Sequence, residues 1–107
     1  SNSVRMSVVG LEKTLSREFA PDVRANSVLP GFFETRRLQE GVEHDVEQGE
    51  YDSYEEGIEE MASDVPLDRV GQPRELGELV AFLSSERAAY LNGVAVPIDG
   101  GVTRSNL

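Results

Sequence analysis

Two short segments with the pattern of β-strands, separated by a long helical stretch, constrain the fold of this chain more than any other feature. Residues 23–29 alternate between two faces and are bounded by Pro21-Asp22 and Pro30-Gly31, which is typical of a strand. Residues 94–98 form the second strand pattern. Pro97 lies inside it, and because proline cannot donate a ladder hydrogen bond, it favours a strand at the edge of a sheet.

Four other segments have the pattern of helices. Residues 1–20 carry one continuous apolar stripe at helical spacing. Thr35 is expected to cap a second helix, Ser53–Glu56 has the form of a capping box, and Pro73 suits the first position of a fourth helix. The apolar faces predicted for the four helices are Val4, Val8, Leu11, Leu15 and Phe19; Leu38, Val42 and Val46; Ile58, Met61 and Ala62; and Leu76, Leu79, Val80 and Leu83.

Length and residue types limit the classes of protein to be considered. A chain of 107 residues has room for one domain with one core. It contains no cysteine, which excludes a disulfide framework and any cysteine-ligated metal. No apolar run approaches the ~18 residues of a membrane span, and no signal peptide opens the chain. We therefore expect a cytoplasmic protein without a membrane partner.

The charge balance is strongly acidic. Twenty acids face ten bases, the net charge is −10, and Lys13 is the single lysine. Nucleic acid is not an expected partner, because binding it requires a basic surface that displaces counterions from phosphate. An acidic surface almost without lysine is typical of a halophilic archaeon, where salt screens the repulsion between carboxylates. An acidic mesophilic protein is the alternative.

Residues 40–60 hold ten of the twenty acids and contain no Lys or Arg. The carboxylates do not have the spacing of a calcium-binding loop. We interpret them as a solvated face whose repulsion salt screens. His44 lies in this stretch without a second ligand type at chelating spacing, so a surface histidine is favoured over a metal ligand.

Four sequence segments resemble the short-chain dehydrogenase/reductase family. They are NSVLPGFFET at 26–35, PLDRVGQPREL at 66–76, FLSS at 82–85 and LNGVAVPIDGG at 91–101, and they occur in the family's order and with its spacing. The resemblance covers nearly the whole chain. It is to the C-terminal half of such an enzyme, of the 3-oxoacyl-carrier-protein reductase type.

The resemblance implies an α/β fold: the C-terminal part of a Rossmann-type doubly wound sheet, with two parallel strands, three to four helices and the first half missing. Residues 1–107 would form a single partial domain. Residues 36–65 would be a variable acidic lid on the substrate side. Tyr51 and Tyr54 of this lid could contact substrate, although a short helix docking its aromatic side chains is favoured.

The family's acid/base dyad, Tyr-x-x-x-Lys, does not have its residue types here. Ser1 stands at the tyrosine position and Arg5 at the lysine position. A serine hydroxyl is far too weak an acid to replace the phenol without an activating base, so no catalytic residue is assigned. Arg5 keeps the positive charge of the lysine but not its compact ammonium group, and is retained as a candidate cofactor contact.

The loop after the first strand is the main candidate site. The resemblance assigns four of its residues to the nicotinamide end of the cofactor: Pro30, Gly31, Phe33 and Thr35. Backbone groups near Phe33 would meet the carboxamide, and the Thr35 hydroxyl would reach carboxamide or phosphate. In the alternative interpretation, Pro30-Gly31 only ends the strand and Thr35 only caps a helix.

Cofactor and partner expectations follow from the same resemblance. NAD or NADP is implied for the parent enzyme, which would interconvert a ketone and an alcohol. The glycine-rich phosphate turn is absent from this chain, so tight dinucleotide binding by the chain alone is not expected. The expected partner is a second copy of the chain or a complementary N-terminal half. The alternative function is a non-catalytic interaction or oligomerisation module.

Overall fold

The computed structural model describes the backbone of residues 2–103 and the side chains of residues 6–103. Ser1 and the side chain of Arg5 lie outside these ranges. The elements are α1 Asn2–Glu18, β1 Ser27–Pro30, α2 Arg36–Glu47, α3 Tyr54–Ala62, α4 Pro73–Leu83, a 3-10 turn Glu86–Ala88 and β2 Ala95–Ile98. This is a small α/β structure, as the sequence predicted.

The two strands pair in parallel, which confirms the expected sheet. Ser27 lies opposite Ala95 and Pro30 opposite Ile98. The prediction that the first strand begins at residue 23 is wrong, because residues 24–26 bond to the loop that precedes β2 rather than to a ladder. Arg24 donates from Nη1 to the Leu91 carbonyl (3.1 Å), and the Ala25 N–H donates to Asn92 Oδ1 (3.0 Å).

The predicted helix starts are confirmed. The Thr35 hydroxyl accepts from the Leu38 N–H (3.3 Å), and the Ser53 hydroxyl accepts from the Glu56 N–H (3.1 Å). The Glu56 carboxylate turns back to the N–H of Asp52 (2.9 Å), one residue before the position that a capping box uses. Pro73 is the first residue of α4.

The apolar stripe of α1 does not form the face that packs on the rest of the described chain. Val8, Leu11 and Phe19 are 45%, 61% and 52% exposed, whereas Glu12 and Ser16 are buried. In α4, likewise, Leu83 is buried but Val80 is exposed. The helices were predicted correctly, but the apolar face of α1 remains largely uncovered.

The buried apolar residues run from the end of β1 through the lid segment, residues 36–65, to α4 and the 3-10 turn. They are Leu29, Phe33, Val42, Ala62, Val65, Val70, Leu83 and Ala88. The radius of gyration is 16.7 Å, against about 13 Å for a compact domain of this length. The accessible surface is 7849 Å², against about 5,900 Å² for a compact protein of this mass. The chain is therefore extended, with roughly 2,000 Å² more surface than a closed domain of its size.

No helix within residues 2–103 is long and apolar enough to cross a bilayer.

Candidate functional site

The carboxyl ends of both strands meet at one edge of the sheet, and this edge holds the predicted site. Gly31 follows β1, and its N–H donates to the Ile98 carbonyl at 3.0 Å. A Cβ at Gly31 would lie 2.6 Å from Cβ of Asp99. Glycine is therefore required here because the chain segments after β1 and β2 touch. Pro30, the last residue of β1, lies opposite Ile98 in the register.

Phe33 anchors the loop to the segment that precedes α4. Its side chain is buried against Gly71, where an added Cβ would lie 2.7 Å from Cε1 of the ring. The neighbouring backbone forms a parallel bridge, in which Glu34 N–H donates to the Gly71 carbonyl and Gly71 N–H to the Phe32 carbonyl, both at 2.8 Å. The Phe33 N–H has no acceptor among residues 2–103. The bridge to Gly71 holds the backbone on both sides of this donor.

Thr35 lies at the end of the same loop, with an exposed side chain. Its N–H donates to the Phe33 carbonyl (2.7 Å), and its hydroxyl oxygen caps α2 by accepting from Leu38 N–H. A hydroxyl that accepts one bond still has a proton to donate. The cap and a ligand contact are therefore compatible in this residue.

A cavity of about 100 Å³ opens beside the loop. Its lining residues are Phe32, Phe33, Leu67, Arg69, Gly71, Glu75, Ile98, Asp99 and Gly100. Arg69 and Glu75, two of these residues, form a bidentate ion pair, in which the Nη1–Oε1 distance is 2.8 Å and the Nη2–Oε2 distance is 2.9 Å. The hydrogen bonds from Arg69, with one from the Gln72 N–H, lower the pKa of Glu75 to about 2. The pair fixes the start of α4 next to the cavity.

Asp99 holds the turn that follows β2. Its carboxylate accepts from the N–H groups of Gly101 and Thr103, both at 2.9 Å, and from the Thr103 hydroxyl. The Thr103 hydroxyl and these backbone donors hold the pKa of Asp99 below its usual range. The motif at residues 91–101 contains this aspartate, but no role was predicted for it.

Glu34, between Phe33 and Thr35, was also missed. Its Oε2 accepts from the Tyr54 hydroxyl of α3 (2.6 Å), and its Oε1 accepts from Gln72 Nε2 at the start of α4 (3.0 Å). These bonds, that from Gln72 first, lower the pKa of Glu34. Burial, together with the bond to Glu34, raises the pKa of Tyr54 to about 12. No spacing in the sequence signals a contact between residues 20 positions apart.

The site can position a polar, planar ligand group. The Phe33 N–H and the Thr35 hydroxyl are both donors, and a carboxamide or phosphate oxygen is the acceptor that such a pair suits. These groups fit the nicotinamide end of a dinucleotide. Within residues 2–103 no group of three or more His, Asp or Glu side chains is arranged to hold a metal ion.

Comparison with known proteins places these observations in a family. A family model described as enoyl-(acyl carrier protein) reductase matches residues 2–103. Oxidoreductase UcpA of Salmonella typhimurium is 39% identical over 100 residues, which cover 92% of this chain and 36% of that protein. The 3-oxoacyl-(acyl-carrier-protein) reductase FabG of Thermotoga maritima is 33% identical over 96 residues, covering 89% and 34%.

Solved structures agree with the sequence comparison. L-sorbose reductase from Gluconobacter frateurii, determined with NADPH and L-sorbose, superposes with a TM-score of 0.88 at 28% identity, covering 98% of this chain and 40% of that one. The chain spans between 34% and 40% of the length of these three proteins. It belongs to the short-chain dehydrogenase/reductase family.

Proposed function

We propose that this chain is the C-terminal part of an NAD(P)-dependent oxidoreductase that interconverts a ketone and an alcohol. The observation that carries the proposal is the loop at residues 30–35. It lies at the carboxyl edge of a parallel sheet, where open α/β sheets bind their ligands. It presents two donors, the Phe33 N–H and the Thr35 hydroxyl, and neither donates to an acceptor within residues 2–103.

The chain's residues hold the cofactor in this proposal and do not perform the acid/base step. NAD(P)H, when bound, supplies the hydride. The Phe33 N–H and the Thr35 hydroxyl bind the nicotinamide end, while Pro30 and Gly31 shape the turn that lets the backbone approach it. Arg5, at the position of the family's lysine, is the remaining proposed cofactor contact. The proton comes from residues outside this chain.

A 3-oxoacyl thioester is the proposed substrate class. The relative from Thermotoga maritima carries that activity in its name and supports the assignment. Leu67 and Phe32, which line the cavity, are 66% and 42% exposed, so an acyl chain would find apolar surface beside the loop. Tyr51, by contrast, contacts Gly57 inside the lid segment, where an added Cβ would lie 3.1 Å from its ring.

The proposal includes a complementary N-terminal half that binds the dinucleotide phosphates. An open groove of about 700 Å³ lies beside β1 and α4, lined in part by Val28, Val80 and Leu83. In a parallel strand, the backbone groups of alternate residues bond to opposite neighbouring strands. The backbone N–H and C=O of Val28 therefore face the edge of β1 that lies away from β2. Within residues 2–103 no strand pairs with that edge. We expect no tight binding of NADH or NADPH by this chain alone.

The cellular setting is part of the same proposal. Of the ten acids in residues 40–60, all except Asp45 are exposed. This exposed negative charge supports a salt-rich cytoplasm as the working environment.

The test is a comparison of two caps in the protein at its native length. Thr35→Ala removes a cap and the proposed cofactor donor, and Thr35→Ser keeps both. Ser85→Ala removes a cap but no proposed cofactor donor, since the Ser85 hydroxyl accepts from the Arg87 N–H at the start of the 3-10 turn. With 3-oxoacyl thioesters as substrates, Thr35→Ala should raise the KM for the dinucleotide roughly tenfold, the equivalent of one hydrogen bond. Thr35→Ser and Ser85→Ala should leave it unchanged. Equal effects of Thr35→Ala and Ser85→Ala would show that Thr35 acts only as a cap.

A non-catalytic interaction module is the second candidate, favoured by the uncovered face of α1. Met6 and Leu11 are 75% and 61% exposed, and an apolar patch of this kind is rarely left in water by a stable monomer. A second copy of the chain would cover this patch in a twofold symmetric homodimer, the commonest kind of oligomer. Sedimentation of the chain in high salt should give a dimer or larger species. A folded, monodisperse species of 11.7 kDa would exclude self-association.

A further inference from the structure

The lid segment is joined to the rest of the chain at both of its ends. Thr35 starts its first helix, and its last residues rest on the turn after β2, where an added Cβ at Gly100 would lie 2.6 Å from Val65 Cγ1. The two lid helices are packed on each other, since a Cβ at Gly57 would lie 2.5 Å from Val42 Cγ1. The lid segment is therefore a compact hairpin that is held at both of its ends.

A third attachment lies between these ends, and it is polar. The Tyr54 hydroxyl, in the first turn of α3, donates to Glu34 Oε2 at 2.6 Å. The other carboxylate oxygen accepts from Gln72 Nε2 at 3.0 Å. One carboxylate thus joins the loop at residues 30–35, the lid segment and the start of α4. Hydrogen bonds to a carboxylate are among the stronger ones in proteins, so this junction restrains all three elements.

The junction can affect ligand binding because of where Glu34 lies in the loop. Glu34 lies directly between the two residues that present donors, Phe33 and Thr35. Its own N–H is held by the Gly71 carbonyl at 2.8 Å, so the backbone on one side of it is fixed. Its side chain is fixed by the lid. Loss of the bond from Tyr54 therefore removes a restraint on the loop between the two donors.

We propose that Glu34 is a positioning residue that holds the two donors of the loop in the geometry that binds the cofactor, with Tyr54 as its partner on the lid segment. This inference rests on the proposed function of the loop. While the Tyr54 hydroxyl is bonded to Glu34, the donors at Phe33 and Thr35 keep their geometry. When that bond is lost, α3 is held less firmly and the loop binds the dinucleotide less tightly.

The experiment uses four variants of the protein at its native length: Glu34→Gln, Tyr54→Phe, the double variant, and Tyr51→Phe as the matched control on the same lid segment. Hydrogen exchange reports the lid, and steady-state kinetics with NADPH and a 3-oxoacyl thioester report the loop. Tyr54→Phe should accelerate exchange across residues 54–62 and raise the KM for NADPH, each by roughly tenfold. Because kcat depends on groups elsewhere, it should change much less.

The double variant separates coupling from two independent losses. Glu34→Gln alters the bonds to both Tyr54 and Gln72. If Glu34 and Tyr54 act through one bond, the double variant should therefore resemble the Glu34→Gln variant, and Tyr51→Phe should resemble the unmodified protein. Unchanged exchange in Tyr54→Phe, or fully additive effects in the double variant, would overturn the proposal. An unmodified protein that does not oxidise NADPH when a 3-oxoacyl thioester is present would overturn the proposed function instead, and the exchange measurement distinguishes the two failures.

Discussion

Replacing Glu12 by glutamine should stabilise this chain at neutral pH. Glu12 is only 5% exposed on the face of α1 that packs on the strands, and neither of its carboxylate oxygens has a hydrogen-bond partner within the described part of the chain. The neighbouring Lys13 does not bond to it; its Nζ donates to the Gly93 carbonyl at 2.8 Å. A buried carboxylate without donors destabilises the folded state when it is ionised. Glutamine has nearly the same shape and carries no charge.

The size of the effect follows from the geometry. An unpartnered buried polar group costs about 1–3 kcal/mol, and Lys13 offsets part of this through its charge. The replacing amide is also unpartnered, so the net gain should be near the lower end, about 1 kcal/mol. For a chain of this size, that gain corresponds to a rise in Tm of about 4–8 °C.

The pH dependence gives the sharper test. Burial raises the pKa of Glu12 above its ordinary value of 4.5. Below that ordinary value the residue is protonated in both folded and unfolded chains, so the two proteins should differ little. The advantage of glutamine should grow as the pH rises through the folded-state pKa. Thermal melts of both proteins from pH 4 to pH 8 measure this.

Glu18→Gln, on an exposed position of the same helix, is the control and should change Tm little at any pH. An advantage of Glu12→Gln that is the same at pH 4 and pH 8 would refute the role given to the charge. A loss of stability would show that the carboxylate has a partner in solution.

Three further outcomes are expected. Gly31→Ala should lower the denaturation midpoint, with a loss of roughly 1–3 kcal/mol from overpacking, because its Cβ would lie 2.6 Å from that of Asp99; Gly10→Ala, with nothing within 4 Å, is the control. Absorbance titration should show Tyr54 ionising at about 12, and Glu34→Gln should bring that value down. Because this folded-state pKa is raised, the associated stability is complete below the ordinary value of 10 and lost as the pH rises towards 12. The Tm should rise from low to molar potassium chloride, since salt screens the repulsion between exposed acids of the lid segment; a flat trend would contradict this.

Features that depend on neighbouring residues could be predicted from the sequence. The caps at Thr35 and Ser53 are confirmed because a capping side chain bonds to a backbone group only three residues away. The parallel pairing of β1 and β2 followed from the family resemblance and is confirmed as well. The start of β1 was predicted too early, since side-chain bonds from Arg24 to a distant loop replace the ladder there.

Features that depend on what lies outside the helix could not be predicted from its periodicity. The stripe of α1 indicated an amphipathic helix correctly, but a stripe does not say which neighbour covers it. In this chain the covered face of α1 contains Glu12 and Ser16, and the apolar stripe is largely exposed. Glu34 was missed for a related reason. Tyr54 was considered as a substrate contact or a docked aromatic, but its bond to Glu34 was not predicted, because only the fold brings the two side chains to 2.6 Å.

The motif glycines carry structural information that their sequence positions alone do not show. Gly31 lies against Asp99, Gly71 lies under the Phe33 ring, and Gly100 lies against Val65. Each belongs to a different motif, and each marks a place where two distant segments approach closer than any larger residue would allow. All three contacts lie around the loop at residues 30–35. The three motifs therefore meet at one compact site. A substitution at any of these glycines should displace the same loop.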